Sequence, residues 1–121
     1  MAVVRILVVD DEGLVLSATS RMLESVGFEV ESATSGLEAL EVLAQSGAID
    51  LVLTDVNMPG MSGVELAKQI ATRHSDIGVL LVSGKEPMAD VMSELPARYR
   101  FLRKPYGIAT LTSSLEGLLP G

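Results

Sequence analysis

Short apolar runs and segments of helical periodicity alternate along the whole chain. Val, Ile and Leu dominate residues 3–9 (VVRILVV), 51–54 (LVLT) and 77–82 (IGVLLV). Runs of this length and composition read as buried strands. Weaker strand signals lie at 28–33 (FEVESA) and 99–102 (YRFL). Between them, Leu14, Ala18, Met22 and Val26 recur every four residues and predict a helix over 13–26 with that stripe turned inward. Leu37, Leu40 and Leu43, with Ala39 and Val42 alongside, predict a second over 35–46 behind a Ser35 N-cap. Val64, Leu66, Ala67 and Ile70 mark a third over 62–73 behind Ser62. Pro87 and Pro96 bound a fourth over 87–95, leaving about two turns. Ile108, Leu111, Leu115 and Leu118 predict the last, over 107–119.

Five strands thus alternate with five helices, and the central strands are apolar on both faces. That pattern predicts an α/β fold: a parallel sheet covered by helices on both sides and joined by right-handed crossovers. No repeat, low-complexity tract or linker interrupts it. A chain of 121 residues suffices for one core, so a single domain over 1–121 is expected.

Composition narrows the function. With 48% apolar and 21% charged residues the chain is globular rather than disordered. The absence of cysteine excludes a disulfide framework, a thiolate metal site and a cysteine nucleophile. The first apolar run is too short for a signal peptide or a membrane span, so a cytoplasmic protein without a membrane partner is expected. Net charge is −7 and the nine basic residues form no stripe, which argues against direct nucleic-acid binding.

In a doubly wound parallel sheet, functional groups gather at the carboxyl ends of the strands. Strand one runs into Asp10 and Asp11 (RILVVDDEG), and strand three into Asp55 (LVLTDVNMPGMSG). Strand four runs into Ser83 and Gly84 (LLVSGK), and strand five into Lys104 and Pro105 (FLRKP). Successive strand residues face opposite ways, so Asp10 and Asp11 converge only if the chain is already turning there. Three carboxylates at the mouth of a core repel one another and resist desolvation. Lys104 offsets one charge and a divalent cation offsets the other two. An all-oxygen ligand set suits a hard ion such as Mg²⁺. A carboxylate flanked by cations and a hydroxyl is a receptacle for a phosphoryl group. Asp55, the lone acid on the central strand, is the candidate nucleophile, with Ser83 and the Gly84 N–H as donors to the transferred oxygens.

With these segments in this order, the chain resembles the receiver domain of two-component response regulators over essentially its whole length. The resemblance implies a flavodoxin-like (βα)5 fold with strand order 2-1-3-4-5. It implies Asp55 as phosphoacceptor, Asp11 as a direct Mg²⁺ ligand, Asp10 acting through water, and Asn57 giving its backbone carbonyl. It also implies Ser83 as switch hydroxyl, Phe101 as switch aromatic, Lys104 as the cation pairing with the phosphoryl group, and a cis Lys104–Pro105 bond. The implied donor is a sensor histidine kinase or a histidine phosphotransfer protein. The implied activity is self-phosphorylation and self-dephosphorylation, not turnover of a separate substrate.

Phosphorylation takes Asp55 from −1 to about −2 and adds acceptor oxygens. On this reading Ser83 moves toward them, Phe101 fills the space vacated, and the surface of the fourth helix, fifth strand and fifth helix is repacked to change partner binding. A phosphorylation-dependent homodimer is one form of such output. Ser83 stands where the family more often has Thr, and lacks the branch that restricts χ1. Phe101 has no phenol to report its position, and Lys85 is placed to lean toward the site. Thr110, Ser113, Ser114 and Gly117 give the last helix a mild outer face. His74 reads as a surface cation at a helix end, the methionines as fillers, and MPGMSG as chiefly a turn. The protein is expected to be a single-domain regulator or a receiver taken from a larger chain such as a hybrid kinase.

Three other readings compete. A haloacid-dehalogenase-type Mg²⁺ phosphatase resembles D-x-D after strand one, whereas Glu12 stands two beyond Asp10. A flavodoxin-like cofactor binder needs a Ser/Thr/Gly-rich phosphate loop there, which is absent. A scaffold receiver that is never phosphorylated fits poorly with a complete set of landmarks.

Overall fold

Strand alternation sorts the apolar residues onto the two sides of one sheet. A computed structural model describes residues 3–84 and 89–119, apart from the side chains of 90 and 91. The elements run β1 (Arg5–Val9), α1 (Gly13–Ser25), β2 (Glu29–Ala33), α2 (Gly36–Ser46), β3 (Leu51–Asp55), α3 (Gly63–Arg73), β4 (Gly78–Ser83), α4 (Ala89–Met92), β5 (Arg100–Arg103) and α5 (Ile108–Glu116). The five strands lie in the order β2-β1-β3-β4-β5, all pairings parallel. This is the flavodoxin-like topology expected. The strand order reverses between β1 and β3, which opens a crevice at their carboxyl ends.

Ile6 and Val8 of β1, Leu51 and Leu53 of β3, and Leu80 and Val82 of β4 pack with Leu16 and Leu23 of α1 and Leu111 and Leu115 of α5. The intervening residues Leu7, Val9, Val52, Val79 and Leu81 pack on the other side with Ala39 and Leu43 of α2 and Leu66, Ala67 and Ile70 of α3. Leu95 and Tyr99, which follow α4, close that second cluster. Every residue of β3 and β4 is buried, as expected of strands covered on both faces.

The helix starts carry their caps. The Ser35 side chain accepts from the Glu38 N–H, and Ser62 and Glu65 form a reciprocal capping box at α3. The inward faces of α1 and α2 differ from the sequence expectation. In α1 the buried residues are Leu16, Thr19 and Leu23, while Leu14 is 90% exposed and Ala18 and Val26 are exposed. In α2 the expectation fails at Leu37 alone, which is 65% exposed; Ala39 and Leu43 are buried, and Leu40 and Val42 pack against the same cluster. The cause is geometric. A helix advances about 100° per residue, so a stripe drawn strictly every four residues, or every three, drifts off one face within two or three steps. Mixed steps of three and four, as at 16, 19 and 23, stay on it.

Two boundaries also shift. The last helix ends at Glu116, with Leu118 packed beyond it. The fourth is a single turn over Ala89–Met92, closed by a bond from the Ser93 N–H to the Ala89 carbonyl. Its expected opening at Pro87 lies outside the described residues. An ion pair between Lys68 of α3 and Glu94 (3.4 Å) ties the segment after α4 to the rest. His74 caps α3 and is half-buried rather than fully exposed.

The corrected face of α1 is directly testable. Leu23→Ala, at a fully buried position, is expected to cost about 2–5 kcal/mol in urea unfolding. Leu14→Ala is expected to stay within about 0.5 kcal/mol of the parent. Equal losses in the two variants would contradict the assignment.

Candidate functional site

The chain begins to turn as soon as β1 ends. The Asp10 N–H still reaches the Ala33 carbonyl (3.2 Å), and Asp11 sits in a bend. Asp10 Oδ1 then accepts from the Glu12 N–H (2.9 Å) at the start of α1. This early turn brings the two neighbouring acids together. One carboxylate oxygen from each of Asp10, Asp11 and Asp55 lies within 4.8 Å of the others, with Asp10 and Asp55 buried and Asp11 exposed. The Lys104 Nζ stands 3.6 Å from Asp55 Oδ1 and 3.9 Å from Asp10 Oδ2. Those are ion-pair separations too long for good hydrogen bonds, so the ammonium sits between two acids without being committed to either.

Asp55 is held through its backbone. The Thr54 hydroxyl donates to the Asp55 carbonyl (3.0 Å), and the next N–H, that of Val56, donates to Val82 of β4 (2.9 Å). The first residue of α3 presses on the same strand end: a Cβ at Gly63 would lie 2.1 Å from the Asp55 carbonyl oxygen and 2.9 Å from the Val56 Cα. Only glycine fits there. Reading MPGMSG as a turn missed this role, although a glycine directly behind the Ser62 N-cap was a signal that something approaches closely. Gly60 in the same loop takes a φ of 75°, as a left-handed turn residue should.

On the other flank, Ser83 is fully buried, and its Oγ accepts from the Asn57 side-chain Nδ2 (3.1 Å). The Lys104 N–H donates to the Ser83 carbonyl (2.8 Å), and the Lys104–Pro105 bond is cis. Alternation along β4 puts Ser83 on the same side as Val79 and Leu81. Phe101, paired across the sheet with Leu81, packs on that side too, half-buried rather than enclosed. Gly84 is exposed, and Lys85 lies outside the described residues. Sequence reasoning assigned Asn57 only a backbone carbonyl, and its side-chain contact with Ser83 went unseen.

Burial pushes the Asp10 carboxyl above the usual range. The Glu12 N–H counters this, the Asp55 charge reinforces it, and Lys104 and Asp11 add smaller opposing effects. A carboxyl of raised pKa keeps its proton in the folded chain after the unfolded chain has lost it. Stability therefore falls as pH rises from the ordinary Asp value, about 3.9, through the folded value. The donor set, three carboxylates within reach of one another, fits a hard divalent cation.

A family model for the response regulator receiver domain matches residues 6–116. The sensor kinase CckA of Brucella abortus is 37% identical over 117 residues, covering 94% of this chain and 12% of that protein. The response regulator MprA of a Mycobacterium species is 33% identical over 117 residues, covering 96% of this chain and 50% of that protein. The chain thus spans at most half the length of these curated relatives. Among solved structures, the response regulator TrrA of Thermotoga maritima, in complex with Mg²⁺ and BeF, superposes with a TM-score of 0.86 at 32% identity. That superposition covers 96% of this chain and 99% of the other. Among the described residues, no helix is long and apolar enough to cross a membrane.

Gly63→Ala is expected to lower stability by about 3 kcal/mol, the upper end of overpacking costs, because the clash falls on backbone. A urea midpoint equal to the parent's would contradict the close approach. Asp10→Asn, measured in chelator at neutral pH, is expected to raise the melting temperature by about 3–6 °C per kcal/mol of relieved charge burial. That gain should vanish below about pH 4, where the parent carboxyl is also neutral.

Proposed function

The chain belongs to the response regulator receiver domain family of two-component systems, and from that premise we propose that it is a phosphoacceptor module working through Asp55. The family is one of signalling domains rather than of classical enzymes. The observation that carries the reading is the convergence of Asp10, Asp11 and Asp55 within 4.8 Å, with Lys104 at 3.6 Å from Asp55. An arrangement so repulsive in a fold of this kind makes sense as a seat for a cation and a phosphoryl group.

In the proposed reaction a carboxylate oxygen of Asp55 attacks the phosphorus of a phosphohistidine on a sensor kinase or phosphotransfer protein. The O–P bond forms as the N–P bond breaks, and the imidazole leaves with its electron pair. Asp10, Asp11, Asp55 and the Asn57 carbonyl are the groups that would hold Mg²⁺, which when bound supplies positive charge beside the phosphoryl oxygens. Lys104 pairs with one of those oxygens, and Ser83 and the Gly84 N–H donate to others. The Mg²⁺-bound TrrA structure, with BeF in the complex, supports this choice of metal. The unit acting in this way is the whole chain, residues 1–121.

Output follows from the placement of Ser83 and Phe101 on one side of the sheet. Ser83 shifts toward the phosphoryl group and Phe101 moves inward. The α4–β5–α5 surface changes shape as a result, and partner binding, including formation of a homodimer, changes with it. The half-buried state of Phe101 leaves it room to move.

Incubation with acetyl phosphate and Mg²⁺ tests the proposal. One phosphoryl group per chain is expected in the parent and background labelling in Asp55→Asn or in chelator, read by intact mass. Labelling of Asp55→Asn at the parent's level, or none in the parent with Mg²⁺ present, would overturn it.

A further inference from the structure

We infer that the recess between β2 and the end of α2 is a binding site for a primary ammonium group, held by the Glu31 carboxylate. The inference goes beyond the phosphoacceptor reading and does not depend on it.

Glu31 is an acid on the inward face of an edge strand. β2 ends the sheet beside β1, and the register sets Glu31 against Leu7, which packs in the α2–α3 cluster. Alternation therefore turns the Glu31 side chain toward α2 rather than toward α1. Its Oε2 is enclosed and has no hydrogen-bond partner among the described residues. Arg5, in register with Glu29 on the same face, does not relieve it. The Arg5 Nη2 and Nε both donate to Glu29 Oε1, at 2.6 and 3.2 Å. An enclosed carboxylate oxygen with no donor carries its full desolvation penalty, which a bound donor removes.

Glu31 lines a recess of about 270 Å³ together with Val42, Gln45 and Ser46. The recess lies at the negative end of the α2 dipole, because the helix ends at Ser46 with no basic residue in its last turn. Among the described residues, no hydrogen bond from beyond the helix reaches the carbonyls of residues 43–46. An unpartnered acid and an unpartnered helix end thus face the same small space.

The lining decides the kind of cation. Among the described residues, Asp10, Asp11 and Asp55 alone gather closely enough for a metal ion. The recess supplies one carboxylate, against the several oxygens that a hard divalent ion takes. An ammonium carries three donors and no acceptor, and the Glu31 carboxylate, the Gln45 amide oxygen and the Ser46 hydroxyl are three acceptors. Small-molecule pockets run from about 300 Å³ upward. The occupant is therefore the size of one side chain, with an apolar stem against Val42. It is the ammonium of a partner's lysine or of a free alkylamine.

Titration of the nitrogen-15-labelled full chain with n-butylammonium chloride at constant ionic strength tests the site. Saturating amide shifts are expected at residues 30–33 and 42–47, and none with butanol. Glu31→Gln is expected to weaken binding by at least about 10-fold and Gln45→Ala by about 3–10-fold, as loss of a charged and of a neutral hydrogen bond do. Tighter binding of a capped peptide with a single lysine than of n-butylammonium would identify a protein partner as the source, and the reverse order a free amine. Shifts that do not saturate, or equal affinity in the parent and Glu31→Gln, would overturn the site. So would self-association of Glu31→Gln in sedimentation with no ammonium binding by the parent, which would leave Glu31 as a guard on the edge of β2. Labelling of Asp55 by acetyl phosphate is expected to be the same in Glu31→Gln and the parent, so the two readings fail separately.

Discussion

Repulsion among carboxylates at the rim of the sheet is the constraint around which the molecule is arranged. Asp10 and Asp55 are both buried, with carboxylate oxygens no more than 4.8 Å apart. Two unit charges at that separation repel by roughly 3 kcal/mol at an effective dielectric of 20. Lys104 relieves part of this from between them. The remainder must be offset elsewhere, and two or three fully enclosed leucines at about 1.5–3 kcal/mol each are enough. Leu23, Leu53 and Leu80 on the α1–α5 side, and Leu7, Leu66 and Leu81 on the other, are all enclosed to that degree.

Holding Asp55 against this repulsion requires a strand end that does not give. β3 is paired on both sides, and its last carbonyl is fenced by the Thr54 hydroxyl and by α3 arriving at Gly63. The groups on the other face are enclosed to different degrees. Ser83, on the face opposite to Leu80 and Val82, is fully buried, whereas Phe101 on that same face is only half-buried. The same alternation that builds two separate cores therefore sets the half-buried Phe101 apart from the buried acid at the end of β3.

Much of this was legible in the chain. The strand-ending acids, the serine and the lysine could be named because a parallel sheet delivers the ends of its strands to one rim whatever the details of packing. The rim they share followed from topology, while the convergence of Asp10 and Asp11 on it depends on the turn that begins directly after Val9. The inward faces of α1 and α2 were less legible, since Leu14, Leu37 and Val26 are apolar without being inside. Hydrophobicity says that a residue can be buried, and only the rotation of the helix against its sheet decides whether it is. The Asn57–Ser83 contact was invisible, and the pressure of Gly63 on Asp55 signalled only by the glycine itself, for a related reason. Each joins atoms from different elements at a distance that a few degrees of loop geometry would abolish.

The brevity of α4 has an energetic consequence of its own. Among the described residues one bond, from the Ser93 N–H to the Ala89 carbonyl, closes this four-residue helix, and a helix so short has little stability of its own. What holds it in place is therefore its surroundings, the packing of Leu95 and Tyr99 just beyond it and the Lys68–Glu94 ion pair. The conformation of α4 is thus set from outside, by tertiary contacts rather than by its own ladder, and any change in those contacts is passed directly to it.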